Sequence, residues 1–170
     1  FSTLQEIIEK ENLASVEEVL ASLNTKFPIF FENYILMYKS RSLQQSSFQR
    51  PRAILFDRSA KFVFSFNGDP SHRGYDRLEI MQSIDETASF EFREVIFNQQ
   101  IGAIFSEANP QKCMVCHQSR HRENTDPRPN WEPYNTWPGA YGSLNGELKV
   151  ETYEKNEIKE RGGHVSLIED

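Results

Sequence analysis

Cys113, Cys116 and His117 stand together as Cys-Met-Val-Cys-His, and they include the only two cysteines in the chain. Two thiols three residues apart share one face of a helical turn, and the imidazole that follows lies on the same side. Each thiol can add to a haem vinyl group to give a thioether, while the histidine offers its imidazole to the iron. The pattern therefore reads as the attachment site of one covalent haem c, with His117 as the proximal ligand. Two other chemistries use the same residues. Zinc could take Cys113, Cys116 and His121, with His72 or His164 as the fourth ligand. A structural zinc knuckle, however, brings a second compact ligand pair, and the sequence has none. A dithiol–disulfide couple would need strands alternating with helices around Cys-x-x-Cys, whereas the upstream chain reads as consecutive strands.

These residues need a scaffold, and the sequence lays one out in order. Residues 2 to 23 predict helix: Leu4, Ile7 and Ile8 recur at helical spacing, and Ser15-Val-Glu-Glu18 forms a capping box that restarts the helix after Asn12. Phe27-Pro28 breaks it. The apolar run from Ile29 to Ser40 fits a short helix or a strand, and alternation of Tyr34, Leu36 and Tyr38 favours a strand over 33–40. Ser42 to Pro51 is a polar connection. Ala53–Phe56 and Lys61–Phe66 flank Asp57-Arg-Ser-Ala60 and predict a hairpin, with Phe62, Phe64 and Phe66 on one face and Lys61 and Ser65 on the other. Asn67-Gly-Asp-Pro70 ends that strand.

A second hairpin is expected from Leu78 to Ser83, with a turn at Asp85 to Thr87 and a return from Ser89 to Phe97. Its expected buried set is Leu78 and Ile80 against Phe90 and Phe92, with Glu91 and Arg93 toward solvent. Four or five such strands in succession make an antiparallel meander. Asn109-Pro110 reads as an N-cap and a first-turn proline, so the motif rides a short helix over 110–118. Arg120, Arg122, Arg128, Trp131, Tyr134, Trp137 and Tyr141 then mark an ordered aromatic loop. Glu151/Lys155 and Glu157/Arg161 predict a C-terminal helix that Gly162-Gly163 stops. The expected fold is α+β in one domain over 1–170. It comprises a helical N-terminus (1–26), an antiparallel sheet (27–108), the haem-attachment helix with the aromatic loop (109–146), and a charged tail (147–170).

Composition narrows the partners. A net charge of −6 argues against nucleic acid and anionic lipid and suits a basic redox partner protein. No stretch approaches the roughly 20 apolar residues of a membrane span. The 13 phenylalanines suit the walls of a flat apolar macrocycle. Phe1 carries no leader before it, which implies a removed signal or an excised domain, and a place in a larger complex would fit this. Haem c is attached after export in bacteria, so the motif implies the periplasm or the cell exterior.

The position of the motif restricts the kind of cytochrome. The common small electron-transfer form has its motif near the N-terminus and a methionine ligand downstream. Here Met37, Met81 and Met114 are the only methionines, and none follows the motif. The four-helix cytochrome c-prime has a late motif but a helical chain upstream. An N-terminal helix, an antiparallel sheet and a late Cys113-x-x-Cys116-His117 resemble instead the β-sheet haem c proteins, cytochrome c-prime-beta and its hydroxylamine-oxidising relatives. The resemblance covers element order over residues 1 to 118 and the motif itself, and it alone is the ground for expecting a homodimer. Beyond the motif this chain continues where those proteins nearly end. In the hydroxylamine-oxidising group a strand lysine is cross-linked to the haem. Lys61 is a strand lysine here, and that role is not carried over to it.

The sixth iron ligand is sought among His164, His72 and Met81, since neutral imidazole and thioether sulfur both bind haem iron. His121 follows His117 too closely to reach the opposite face. An open distal site walled by Phe62 or Phe64 is the alternative, although both residues also read as plain core. Arg120, Arg122 and Arg128 are candidates to pair with the haem propionates. Trp131, Tyr134, Trp137 and Tyr141 would meet the haem edge or close the sheet. Asp126 and Glu132 have no catalytic partner. The function expected from these residues is electron transfer through the haem rather than enzyme catalysis. Against it stand a five-coordinate haem that binds a small gas or oxidises a small nitrogen compound, and a haem-bearing subunit of a larger assembly.

Overall fold

The computed structural model describes residues 1–39, 42–118 and 139–141. The expected C-terminal helix lies outside the described residues, as do His121, His164, Arg120, Arg122, Arg128, Asp126, Trp131, Glu132, Tyr134 and Trp137. Contacts group the chain into two compact units that interleave along the sequence. Of the described residues, one unit holds 1–33, 55–66 and 76–118, and the other holds 34–39, 42–54, 67–75 and 139–141.

Helix α1 spans Ser2–Glu11 and stops at Asn12, whose left-handed conformation (φ 53°) lets its N–H bond back to the last turn. Helix α2 spans Val16–Lys26 and begins at the expected cap. The Ser15 hydroxyl accepts from the Glu18 N–H at 3.2 Å, and the Glu18 carboxylate accepts from the Ala14 N–H at 2.6 Å. The ambiguous run after Pro28 divides in two, with α3 at Ile29–Glu32 followed by β1 at Tyr34–Met37, shorter than the expected strand. The remaining strands are β2 (Arg52–Phe56), β3 (Phe62–Asn67), β4 (Arg77–Ile84), β5 (Ser89–Asn98) and β6 (Gly102–Phe105). A single turn of 3-10 helix at Asp85–Thr87 joins β4 to β5. Helix α4, Gln111–His117, closes the described series. The strands form one six-stranded sheet in sequence order, so the α+β meander is as expected with one strand more.

Register decides which residues meet. Leu78 pairs with Val95, Ile80 with Arg93 and Met81 with Phe92, while Phe64 pairs with Ile80 and Val63 with Met81. Cross-strand partners share a face. One face of the first unit therefore carries Phe62, Phe64, Leu78, Ile80, Arg93 and Val95, and the other carries Val63, Ser65, Glu79, Met81, Phe92 and Glu94. The expectation that Leu78 and Ile80 oppose Phe90 and Phe92 is corrected, because those phenylalanines lie on the opposite face. Ser65 (3% exposed) is buried as well, so the supposed polar face of β3 is covered.

The N-terminal helices cover the first face. Phe30 meets the rings of Phe62 and Phe64 at 6.0 and 5.4 Å, and Phe1 meets Phe105 edge-on at 6.2 Å. Arg93 and Glu91, expected in solvent, are half-buried there. Arg93 bonds Glu91 at 2.6 Å and lays its guanidinium 4.7 Å from the centre of the Phe1 ring. Helix α4 takes the second face, described below.

In the second unit, Gly139, Ala140 and Tyr141 run beside β1. Tyr38 N–H donates to Gly139 O, Tyr141 N–H donates to Leu36 O, and Met37 bridges Ala140 antiparallel. Tyr38, Phe48 and Tyr141 stack in a triangle with centroids 4.8 to 6.0 Å apart, which places Tyr141 in packing at the sheet edge. Gly139 has φ +83°, and a side chain there would strike Lys39. Asn67, 1% exposed, ties the unit's loops together by donating to the carbonyls of Gln45 and Arg73.

Candidate cofactor-attachment site

Helix α4 is too short to hold itself. Its seven residues include none that is fully buried, and an isolated helix of that length is unstable in water. Its start is fixed by Asn109. That residue's N–H donates to Phe92 O at 2.8 Å, and its Oδ1 accepts from the Phe92 N–H at 2.9 Å. The side chain that was expected to cap α4 is thus committed to β5. Pro110 occupies the capping position instead, and its carbonyl accepts from Cys113 at 2.8 Å. Asn109 itself sits at φ 53°, a left-handed conformation that asparagine tolerates better than most residues.

Within α4, Cys113, Met114 and His117 are half-buried, while Val115 and Cys116 are exposed. The His117 imidazole lies flat on the Phe92 ring, with centroids 4.1 Å apart and planes 19° apart. Phe92 is only 4% exposed, so the imidazole rests on a fixed surface. One turn earlier the Lys112 ammonium reaches down to Glu94, a carboxylate with no solvent exposure. It meets Oε2 as an ion pair without hydrogen-bond alignment. The other oxygen, Oε1, faces Arg77 at 3.4 Å. Glu79 is the cross-strand partner of Glu94 on the same face.

Cys113 sits between these groups. Burial first, then the negative charges of Glu94 and Glu79, push its thiol up to about 12, against a smaller opposing pull from Lys112. The site therefore favours a neutral sulfur at this position. A thioether is neutral, so the surroundings fit a sulfur bound to a haem vinyl carbon. They oppose a nucleophilic thiolate, which dithiol exchange needs. His117, Cys113 and Cys116 occupy one turn of one helix, the arrangement that attachment through both sulfurs and ligation by the same turn require.

The other sequence candidates are dispersed. Met81 (4% exposed) lies on the α4 side of the sheet, directly across from Phe92. His72 belongs to the second unit, where its Nε2 faces the Asp69 carboxylate at 3.7 Å. Phe62 and Phe64 are core beneath α3, on the sheet face away from α4. Lys61 precedes β3 and pairs with Asp85 at 2.5 Å. Among the described residues, no group of three His, Cys, Asp or Glu side chains could hold a metal ion.

Sequence reasoning missed Phe92, Glu94 and Lys112 as parts of the site, and it assigned the Asn109 side chain to the cap of α4 where it bonds β5 instead. The one signal available was in the alternation: after Phe90-Glu91-Phe92-Arg93, Glu94 stands where the next apolar residue is due. No protein-family model matches the chain, and no curated protein or solved structure is significantly similar to it.

Proposed function

We propose that this chain is a monohaem c-type cytochrome: Cys113 and Cys116 hold the haem through thioethers, His117 is its proximal ligand, and the protein transfers electrons. The observation that carries the reading is the turn of α4 itself. It carries all three motif residues, braces His117 on Phe92 and surrounds the Cys113 sulfur with burial and carboxylates that favour its neutral form. When bound, the haem would supply the one-electron couple, which burial and ligation tune. Cys116 and the neighbouring Val115 are exposed, so this part of the motif is open to solvent. That favours electron exchange with a docked partner, and the net charge of −6 favours a basic one. Export to the periplasm or beyond belongs to the same proposal. So do propionate pairing by Arg120 and Arg122, contact of Trp131 and Trp137 with the haem edge, and kinship with the β-sheet haem c proteins.

One observation favours a second reading, an iron with an open sixth position that takes a small ligand. Met81 is buried in the sheet directly across from Phe92, the ring on which His117 rests. The Met81 thioether is thereby better suited to packing than to distal ligation. An absorption spectrum of the reduced protein with and without carbon monoxide tests both readings. Haem bands that carbon monoxide leaves unchanged are expected for electron transfer with a firmly held sixth ligand. A clear shift with carbon monoxide selects the second reading. Absence of haem bands from protein matured with haem-attachment machinery refutes both, and zinc analysis would follow.

A further inference from the structure

We infer that Glu94 is a positioning residue for the motif helix: its buried carboxylate latches α4 to the sheet through Lys112 and so fixes the rotation at which Cys113, Cys116 and His117 are presented. Three contacts on β5 hold α4. Asn109 pins the approach to the helix at the Phe92 backbone, and the Phe92 ring supports His117 at its end. Between them, Lys112 reaches Glu94 in the first turn, immediately before Cys113.

The first two contacts would allow the helix to roll about its axis, because one is at a terminus and the other is a flat stack. The third does not. Glu94 has no solvent exposure, and its cross-strand neighbour on the same face is a second carboxylate, Glu79. From the sheet itself Arg77 contributes one cation, and α4 brings the second. A buried carboxylate is tolerated only when its charge is met, so β5 gains its counter-charge when α4 is seated with Lys112 inward. The half-buried position of Cys113 and the outward position of Cys116 follow from that rotation. The latch belongs to the chain with or without haem. Its consequence for the thiols rests on the haem reading.

The test is hydrogen exchange, followed by mass spectrometry, on the full-length purified protein and its Glu94→Gln, Lys112→Gln, Lys112→Arg and Glu94→Gln/Lys112→Gln variants. Each neutralising single variant should speed exchange in peptides covering 111–118 by roughly tenfold while β4 keeps its protection. The double variant should add little to either single, and Lys112→Arg should stay near the native rate. In the same samples, the pyridine haemochrome band should move to longer wavelength in the neutralised variants, as a fraction of the haem keeps one vinyl group free. A merely structural contribution would not move that band. Unchanged exchange over 111–118, or fully additive effects of the two substitutions, would overturn the latch. If Glu94→Gln does not fold, Lys112→Gln serves alone, since that side chain is 41% exposed. Protein without haem in every sample would remove the haem reading and still leave the exchange rates to judge the latch.

Discussion

Cys113 should be a slow thiol in the folded, haem-free chain, and the extent can be worked out. Burial and the carboxylates of Glu94 and Glu79 push it up to about 12. At about pH 8 an unperturbed thiol is roughly one quarter ionised, whereas one at about 12 is ionised to roughly one part in ten thousand. The rarer thiolate is also the more basic one. With a Brønsted coefficient of about 0.4–0.5, it recovers roughly 25- to 55-fold in intrinsic reactivity. The net expectation is reaction with an aromatic disulfide reagent about fifty- to a hundredfold slower than in the unfolded chain.

The assay uses Cys116→Ser, which leaves Cys113 alone, in buffer and in concentrated urea, with release of the coloured thiol followed by absorbance. Cys113→Ser supplies the control, since Cys116 is exposed. The folded rate should climb about tenfold per pH unit through the alkaline range without reaching a plateau. Glu79→Gln, which removes one of the opposing charges, should raise it. A folded Cys113 that reacts within about threefold of its rate in urea would refute the electrostatic argument, and with it the claim that the site prefers a neutral sulfur.

Two further outcomes follow from the same geometry. An acid whose value is raised on folding keeps its proton in the native chain after the unfolded chain has lost it. From the ordinary thiol value of about 8.5 up to about 12, the unfolded state therefore binds fewer protons, and stability falls as pH rises. Denaturant midpoints of the haem-free chain should decline from about pH 8 to about pH 10.5, and decline less in Cys113→Ser; parallel curves would contradict the assignment. Phe92→Ala removes a ring that is 4% exposed and supports His117. It should cost about 3–5 kcal/mol in equilibrium unfolding, whereas Phe92→Leu should cost less than about 2 kcal/mol. A cost below about 1 kcal/mol for the alanine variant would mean that the ring is not the support described here.

The helix that carries the motif was legible because its signal is local: Pro110 at its start and the motif spacing mark one short stretch of helix. The hairpins were legible as well, since Phe62, Phe64 and Phe66 alternate and Asp57–Ala60 supply a turn. Their pairing was not. The 3-10 turn at Asp85–Thr87 sets Ile84 opposite Ser89, and that register puts Val95 against Leu78. An odd shift in register exchanges every side chain between faces. Alternation could not choose between the two registers because apolar residues line both faces, one beneath the N-terminal helices and the other beneath α4.

Glu91 and Arg93 read as solvent residues for the same reason, although Phe1 covers Arg93. Strand β6 was missed because Gly-Ala-Ile-Phe is four residues with no alternation, and it forms by pairing with β5. The latch was out of reach of sequence. Lys112 and Glu94 stand far apart along the chain, and a glutamate in a strand is ordinarily exposed.

Fold and site constrain each other here. A sheet covered on one face by helices still has to cover the other, and β5 places two kinds of group there. Met81 and Phe92 need apolar cover, whereas Glu94 and Glu79 need cations. Helix α4 meets both needs with seven residues. His117 and Cys113 turn toward the sheet, and Lys112 carries the charge. The carboxylate that seats the helix is also one of the groups that hold the Cys113 thiol neutral. Positioning therefore comes at the expense of nucleophilicity. That exchange would cripple a dithiol oxidoreductase, whose reaction waits on a thiolate. It costs a thioether anchor little, because the finished bond carries no charge and must only stay where the helix puts it. Truncation before Asn109 should reveal the dependence from the other side: without α4, Glu94 is left with Arg77, and the sheet face that holds it loses both its cover and its second cation.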